Sequence, residues 1–430
     1  MDWALASVSV ALLAYAALSG RIEGTSLTAP MVFVAVGLFF GSEVMGFIDL
    51  APAGEHVQAL AEATLAVVLF ADASRIDLRA LRGEVAVPAR LLGIGLPLTL
   101  VAGFAAAVAL LGALSWPEAL LLAVVLAPTD AALGQAVVTL PRLPSRVRQS
   151  LNVESGLNDG ICVPLFLIVL AFATAESNTI SDSSAVRLVA EQIGYGALAG
   201  AIAGAAGAAA VVLASRASSR EGAWLQIVPL AAAALAWGIA HPIGGSGFIA
   251  AFVGGVVFQL LRRDSEGAVE HLIEELGDVL GAVTFVIFGA VLLGPALGDL
   301  TVPIVVYAIL SLTVVRMAPV ALALAGTGSR RETVGFLGWF GPRGLASIVF
   351  ALMLEEDGGL PHEETIMVTV FVTVGLSVLL HGLTAAPLAG RYAGWFESHP
   401  PGREPALEAA PAPEIRVRAR LHPGDPPPAG

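Results

Sequence analysis

Long apolar stretches alternate with short polar ones over most of the chain. A helix that crosses a bilayer needs about 20 mostly apolar residues. Thirteen stretches are candidates on that ground: residues 3–19, 29–48, 57–71, 85–114, 119–140, 151–173, 186–214, 223–240, 248–261, 279–293, 302–325, 333–354 and 365–389. The pattern predicts an all-α polytopic membrane domain over residues 1–392. The first stretch reads as a spanning helix rather than a cleaved leader, because a leader carries a basic flank before its apolar run. Here Asp2 precedes the run and Arg21 follows it. From about Ser398 the pattern gives way to Pro400, Pro401, Pro405, Pro411, Pro413, Pro423 and Pro426 to Pro428. Residues 393–430 are therefore expected to be a disordered, proline-rich cytoplasmic tail.

Composition excludes a soluble protein. Charged residues make up 13% of the chain and mean hydropathy is +0.83, whereas soluble domains carry about 25% charged residues. The net charge of −13 is dispersed over separate loops, with no basic stripe or nucleic-acid motif. The single cysteine, Cys162, excludes an intrachain disulfide.

The arginines set an orientation. Of the connections between candidate spans, the odd ones hold Arg21; Arg75, Arg79 and Arg82; Arg142, Arg146 and Arg148; Arg216 and Arg220; Arg262 and Arg263; and Arg330 and Arg331. The even ones hold almost none, and one carries Glu355, Glu356, Asp357, Glu363 and Glu364. Basic loops face the cytoplasm. The N-terminus is then outside and the C-terminus inside, in a cell inner (plasma) membrane.

Ionisable residues within spans are costly, at least about 2.5–3.5 kcal/mol each, and so mark function. Asp130 stands in the fifth span, Glu154 and Asp159 in the sixth, Arg316 in the eleventh and Arg343 in the twelfth. Asp130 follows Ala127-Pro128-Thr129. Pro128 removes a backbone donor and should break the helix, freeing carbonyl oxygens beside a carboxylate. Phe340-Gly341-Pro342-Arg343-Gly344 is a comparable break in the twelfth span. Paired interrupted helices in two halves of a transporter point to the binding site. Helices 4–6 and 11–13 are expected to form one inverted pair of units and helices 1–3 and 8–10 another, with helices 5 and 12 broken and crossing and helix 7 as linker.

The sixth span reads Glu154-Ser155-Gly156-Leu157-Asn158-Asp159-Gly160. Glu154 and Asn158 are one turn apart, as are Ser155 and Asp159, so they share one broad polar face. A buried carboxylate binds a proton or a cation but not comfortably both, which is the physical basis of antiport. Arg316 needs a partner, because an unpaired buried guanidinium is not sustainable. Glu154 is the acid nearest the same end of the bundle. That pairing would leave Asp159 and Asp130 to do the exchange. Arg343 either steadies the broken helix ends through their carbonyls or snorkels to the surface.

These motifs resemble the first cation/proton antiporter family, the sodium/proton exchangers, and especially its NhaP-like branch. The matching residues are Thr129-Asp130, the stretch from Glu154 to Asp159, Arg316, and Gly341-Pro342-Arg343-Gly344. The resemblance covers the chain up to the tail. It implies a homodimer in which helices 4–6 and 11–13 form a core that moves like an elevator against a dimerisation and linker part, helices 1–3 and 7–10. It implies a cation site built from Asp159, Asp130, Ser155 and Glu154 with the main-chain oxygen of Thr129, and a pairing of Arg316 with Glu154. Asn158 and Arg343 would support that site. Electrogenic relatives carry two adjacent Asp in helix 6 and a Lys partner. Here Asn158 takes the first position and the chain has no Lys, which implies electroneutral exchange of one proton for one monovalent cation: Na+, or else Li+ or K+. Ala131 departs from the family pattern, which often has Pro there. The chain is then a transporter with no cofactor, not an enzyme. Two alternatives are a sodium-coupled solute symporter and an intramembrane hydrolase built on Gly245-Ser246-Gly247 with His241 or His381.

Overall fold

In the computed structural model the described residues are 2–22, 25–48, 50, 54–76, 86–130, 133–134, 137, 140–178, 182–216, 223–262, 269–357, 359–400 and 405–410. Arg79, Arg82, Arg220, Arg263, Ala131, Pro401 and residues 411–430, which entered the sequence reading, lie outside them.

The architecture is all helical. The helices are α1 (Asp2–Ile22), α2 (Ala29–Phe40), α3 (Glu55–Arg75) and α4 (Ala86–Leu110). Next come the short α5 (Trp116–Val125), then α6 (Ser145–Asn178), α7 (Asp182–Arg216), α8 (Ala223–Ala240) and α9 (Gly247–Leu261). The rest are α10 (His271–Asp299), α11 (Val302–Ala323), α12 in two pieces, α12a (Arg331–Trp339) and α12b (Leu345–Asp357), α13 (Glu363–Glu397) and the short α14 (Ala406–Ala409). Among the described residues nine helices are long and apolar enough to cross a membrane, and four shorter apolar ones accompany them.

Several bounds differ from the apolar count. The tenth candidate, expected over 279–293, is a helix from His271 to Asp299. Glu274 and Asp278 interrupt its hydropathy but not its backbone, and Glu274 pairs with Arg75 of α3, with Nε to Oε1 at 2.5 Å. The second, expected over 29–48, stops being helical at Phe40.

Small residues bring the helices together, because without side chains the backbones approach closely. A Cβ on Gly200 or Gly204 of α7 would fall on the α9 backbone at Ala250 and Gly254. Gly37 of α2 meets the α10 backbone in the same way. Gly160 of α6 faces the Phe252 ring of α9, and Gly156 faces Asp72 of α3. The α6 helix is thereby seated against α3 and α9 with its polar face turned to α5, α11 and α12.

Order extends into the expected tail. The α13 helix continues to Glu397, where Arg142 meets the carboxylate through two hydrogen bonds of 2.9 and 2.6 Å. Residues 405–410 return to the bundle. Glu408 is buried and accepts from Thr333 Oγ1 (2.6 Å) and the Arg330 amide (3.0 Å) at the start of α12a. Arg146 of α6 donates to the Leu407 carbonyl (3.1 Å).

Candidate functional site

The α5 helix starts with a capping box: Ser115 accepts from the Glu118 amide, and Glu118 accepts from the Ser115 amide at 2.8 Å. It ends because Pro128 has no N–H to give to Val124, the acceptor four residues back. Ala127 takes a tighter bond to Val124 instead (3.2 Å), and residues 127–130 run as irregular chain. In α12, Pro342 disfavours helical geometry at the residue before it, and residues 340–344 are likewise irregular between α12a and α12b. Both breaks lie where the prolines predict them.

The two breaks cross and cap one another. The Asp130 amide donates to the Pro342 carbonyl (2.8 Å), and Asp130 Oδ2 accepts from the Leu345 amide (2.9 Å), the first residue of α12b. A carboxylate at a helix N-terminus is stabilised by the helix dipole. Reciprocally, the Arg343 guanidinium donates through Nη1 to the carbonyls of Ala127 (2.7 Å) and Pro128 (3.2 Å), just beyond the C-terminal end of α5, where a cation is favoured. Arg343 is fully buried, so its guanidinium lies on these carbonyls and does not snorkel to the surface. Ser347 of α12b adds a bond to the Val125 carbonyl (2.7 Å).

Glycines make room for these charges. A Cβ on Gly344 would overlap the Asp130 carboxylate, and one on Gly341 would overlap the Arg316 guanidinium.

The α6 helix supplies the rest. Glu154 Oε1 lies 2.5 Å from Arg316 Nη1, each side chain 3% exposed. Close pairing offsets the removal of two charges from water; here it runs through Nη1 alone, since Arg316 Nε and Nη2 have no hydrogen-bond partner among the described residues. Ser155 Oγ donates to the Thr129 carbonyl. Asn158 Nδ2 donates to the Ala127 carbonyl (3.2 Å), and Cys162 donates to Asn158 Oδ1 (3.2 Å). Thr129, Asp130, Glu154 and Ser155 line one small, partly open pocket, together with Gly134, Val137, Leu151, Asn152, Phe340 and Pro342. Asp159 sits one turn along α6 from Ser155 and does not line that cavity. It is buried, its Oδ1 has no hydrogen-bond partner among the described residues, and the charges of Asp130 and Asp72 act on it.

Asp72 escaped the sequence reading. The third candidate stretch ended at residue 71, which made Asp72 a loop residue. The α3 helix runs on to Arg75 and carries Asp72 to face Gly156, with Arg75 Nη1 at 3.8 Å. The usable signal was an acid directly after Phe70-Ala71 with no turn residue between them.

A family model described as sodium/hydrogen exchanger, transmembrane, matches residues 8–391. The chain belongs to that family. Among curated relatives, the K(+)/H(+) antiporter NhaP of Alkalimonas amylolytica is 25% identical over 379 residues, covering 86% of this chain and 63% of that protein. The Na(+)/H(+) antiporter 2 of Zygosaccharomyces rouxii is 26% identical over 323 residues, covering 65% of this chain and 39% of that one. This exchanger-family chain thus spans less than two thirds of the length of these relatives. In fold it is similar to the sodium proton antiporter MjNhaP1 of Methanocaldococcus jannaschii, with a TM-score of 0.71 at 18% identity, covering 93% of this chain and 99% of that one. Families of this kind are transporters, not enzymes. The hydrolase alternative also fails on geometry. Ser246 is the N-cap of α9, accepting from the Ile249 amide (3.4 Å), His241 is exposed, and His381 is bonded to the α12a end.

Proposed function

We propose that the chain exchanges one monovalent cation for one proton without net charge movement. The observation that carries this reading is the charge balance at the crossing. At the crossing itself three carboxylates (Asp130, Glu154 and Asp159) are set against two guanidiniums (Arg316 and Arg343); Asp72 lies outside the crossing on α3, where it shares Arg75 with Glu274. One negative charge is in excess. A single proton or a single monovalent cation neutralises it, and the two compete for it. Asp159 is the carboxylate with a free buried oxygen, so it is the seat of the competition. Asp130, Ser155 and the Thr129 carbonyl are the other cation ligands, with Glu154 completing the wall through its pair with Arg316. Asn158 and Arg343 hold the α5 carbonyls in place. Na+ is the first cargo to test, followed by K+ and Li+, since the relatives are named for Na+ and K+.

In this reading α4–α6 and α11–α13 move as an elevator-type core against α1–α3 and α7–α10 in a homodimer. The arginine-rich end is cytoplasmic in the inner membrane. The cavity lined by Thr129 and Asp130 also takes in Gly134, Val137, Leu151 and Asn152 toward that end, so in this reading the Thr129–Asp130 side of the site opens to the cytoplasm, with Asp159 one turn of α6 beyond it. The test is cation flux in proteoliposomes with a pH dye inside and the voltage clamped. Wild type is expected to exchange Na+ for H+ independently of voltage, and Asp159→Asn to lose exchange. Normal exchange by Asp159→Asn would refute the assignment, and a steep voltage dependence would refute electroneutrality.

A further inference from the structure

The α13 helix bears two buried polar side chains one turn apart, Ser377 and His381, and both face the break in α12. Ser377 Oγ accepts the Arg343 amide (2.7 Å) from the strand of chain that leads into α12b. His381 Nε2 lies 2.9 Å from the carbonyl of Trp339, the last residue of α12a. Its Nδ1 lies 3.3 Å from Ser377 Oγ and 3.0 Å from the Ser377 carbonyl. The ring stacks on the Trp339 indole at 5.0 Å and 30°. That indole donates to Thr384 Oγ1 (2.9 Å), again on α13.

A neutral imidazole has one N–H. On Nε2 the proton goes to the Trp339 carbonyl, and Nδ1 is then an acceptor. The Ser377 hydroxyl, whose oxygen already takes the Arg343 amide, still has its own proton to give to Nδ1. On Nδ1 instead, the proton would go to the Ser377 carbonyl (3.0 Å) and leave the Nε2 lone pair facing the Trp339 oxygen at 2.9 Å with no donor beside it, whereas the bare Nδ1 of the first tautomer, which also faces a carbonyl, has the Ser377 hydroxyl to donate to it. The first arrangement completes a relay from the Arg343 amide through Ser377 and His381 to the Trp339 carbonyl. It bridges the two ends of the broken helix from a neighbour that is helical from Glu363 to Glu397.

We infer that His381 and Ser377 are positioning residues of the exchange site. They set the separation of α12a and α12b, and through Arg343 the placement of the Ala127 and Pro128 carbonyls beside Thr129 and Asp130. The need is physical: within a bilayer the free ends of a broken helix are satisfied only by protein groups or by water in an adjoining cavity, and only protein groups hold those ends at a fixed separation. Neither residue touches the cation in this account. The inference rests on the exchange reading for its functional consequence, while the clamp itself can be measured without transport.

The experiment uses the full chain with His381→Gln, His381→Leu and Ser377→Ala. Each variant is assayed for Na+ KM and maximal rate in proteoliposomes, and for amide hydrogen-exchange protection over residues 340–345 in detergent. A Gln amide can donate to Trp339 and accept from Ser377, so His381→Gln should keep protection and stay close to wild type in KM. Loss of the relay in His381→Leu should raise KM about tenfold and deprotect residues 340–345. Ser377→Ala should move both readouts in the same direction by less. Wild-type KM and protection in both disrupting variants would overturn the inference, as would equal damage in the Gln variant. If the Leu variant does not fold, the contrast between Ser377→Ala and His381→Gln decides. A wild type that moves no cation against protons would defeat the exchange reading, yet the protection data would still decide the clamp.

Discussion

Two glycine-rich contacts in this bundle look alike in sequence and do opposite work. Where α7 meets α9, Gly200 and Gly204 let one backbone rest on another, and the surroundings are alanine. Where α5 crosses α12, Gly341 and Gly344 leave space for a guanidinium and a carboxylate. The first seam joins two unbroken helices by close backbone packing, with one hydrogen bond from the Ser246 amide to the Gln192 carbonyl (3.0 Å) at its edge. The second joins two broken helices whose exposed ends are neutralised by each other's charged side chains. A small residue beside continuous apolar helix marks packing, whereas one beside a proline and an acid marks a site.

Substitutions can separate the two roles. Gly344→Ala puts a methyl group where the Asp130 carboxylate stands, and it should cut exchange by roughly 100-fold, the cost of about an ångström of misplacement at a site. Flux normalised to folded protein checks this. Arg316→Met leaves Glu154 buried without its partner, which should destabilise the fold by about 3–5 kcal/mol. Adding Glu154→Gln should recover much of that in thermal unfolding, since the uncompensated charge is gone. At the quiet seam, Gly204→Ala should destabilise by about 1–3 kcal/mol through overpacking while exchange per folded molecule stays at the wild-type level. A large loss of turnover there would erase the distinction between the two contacts. Glu408→Ala removes two hydrogen bonds to a buried carboxylate and should lower the melting temperature modestly without changing KM. Arg142→Ala, at an exposed pair with Glu397, should have the smallest effect of the series.

Much of the crossing could be read from sequence because its causes are local. Pro128 and Pro342 break helices by their own chemistry, and Arg316 and Glu154 are too costly in an apolar bundle to stand apart. The extent of α10 was hidden by Glu274 and Asp278, which lower hydropathy although Arg75 accommodates the first of them from a distant helix. Asp72 was hidden by a boundary drawn four residues short of Arg75, which lies beside it. Glu408 sits in a proline-rich stretch whose composition says solvent, and only the fold brings Thr333 and the Arg330 amide to it. The roles of Ser377 and His381 depend on which helix lies beside the α12 break, which periodicity along one chain cannot encode.

The core of the account is that one surplus negative charge at the crossing is shared between a proton and a monovalent cation. Calorimetric titration of Na+ into purified wild type, in two buffers of different ionisation enthalpy, counts the protons released per ion bound. The account predicts close to one for wild type and no measurable Na+ binding for Asp159→Asn. Tight Na+ binding with no proton release in wild type would contradict it.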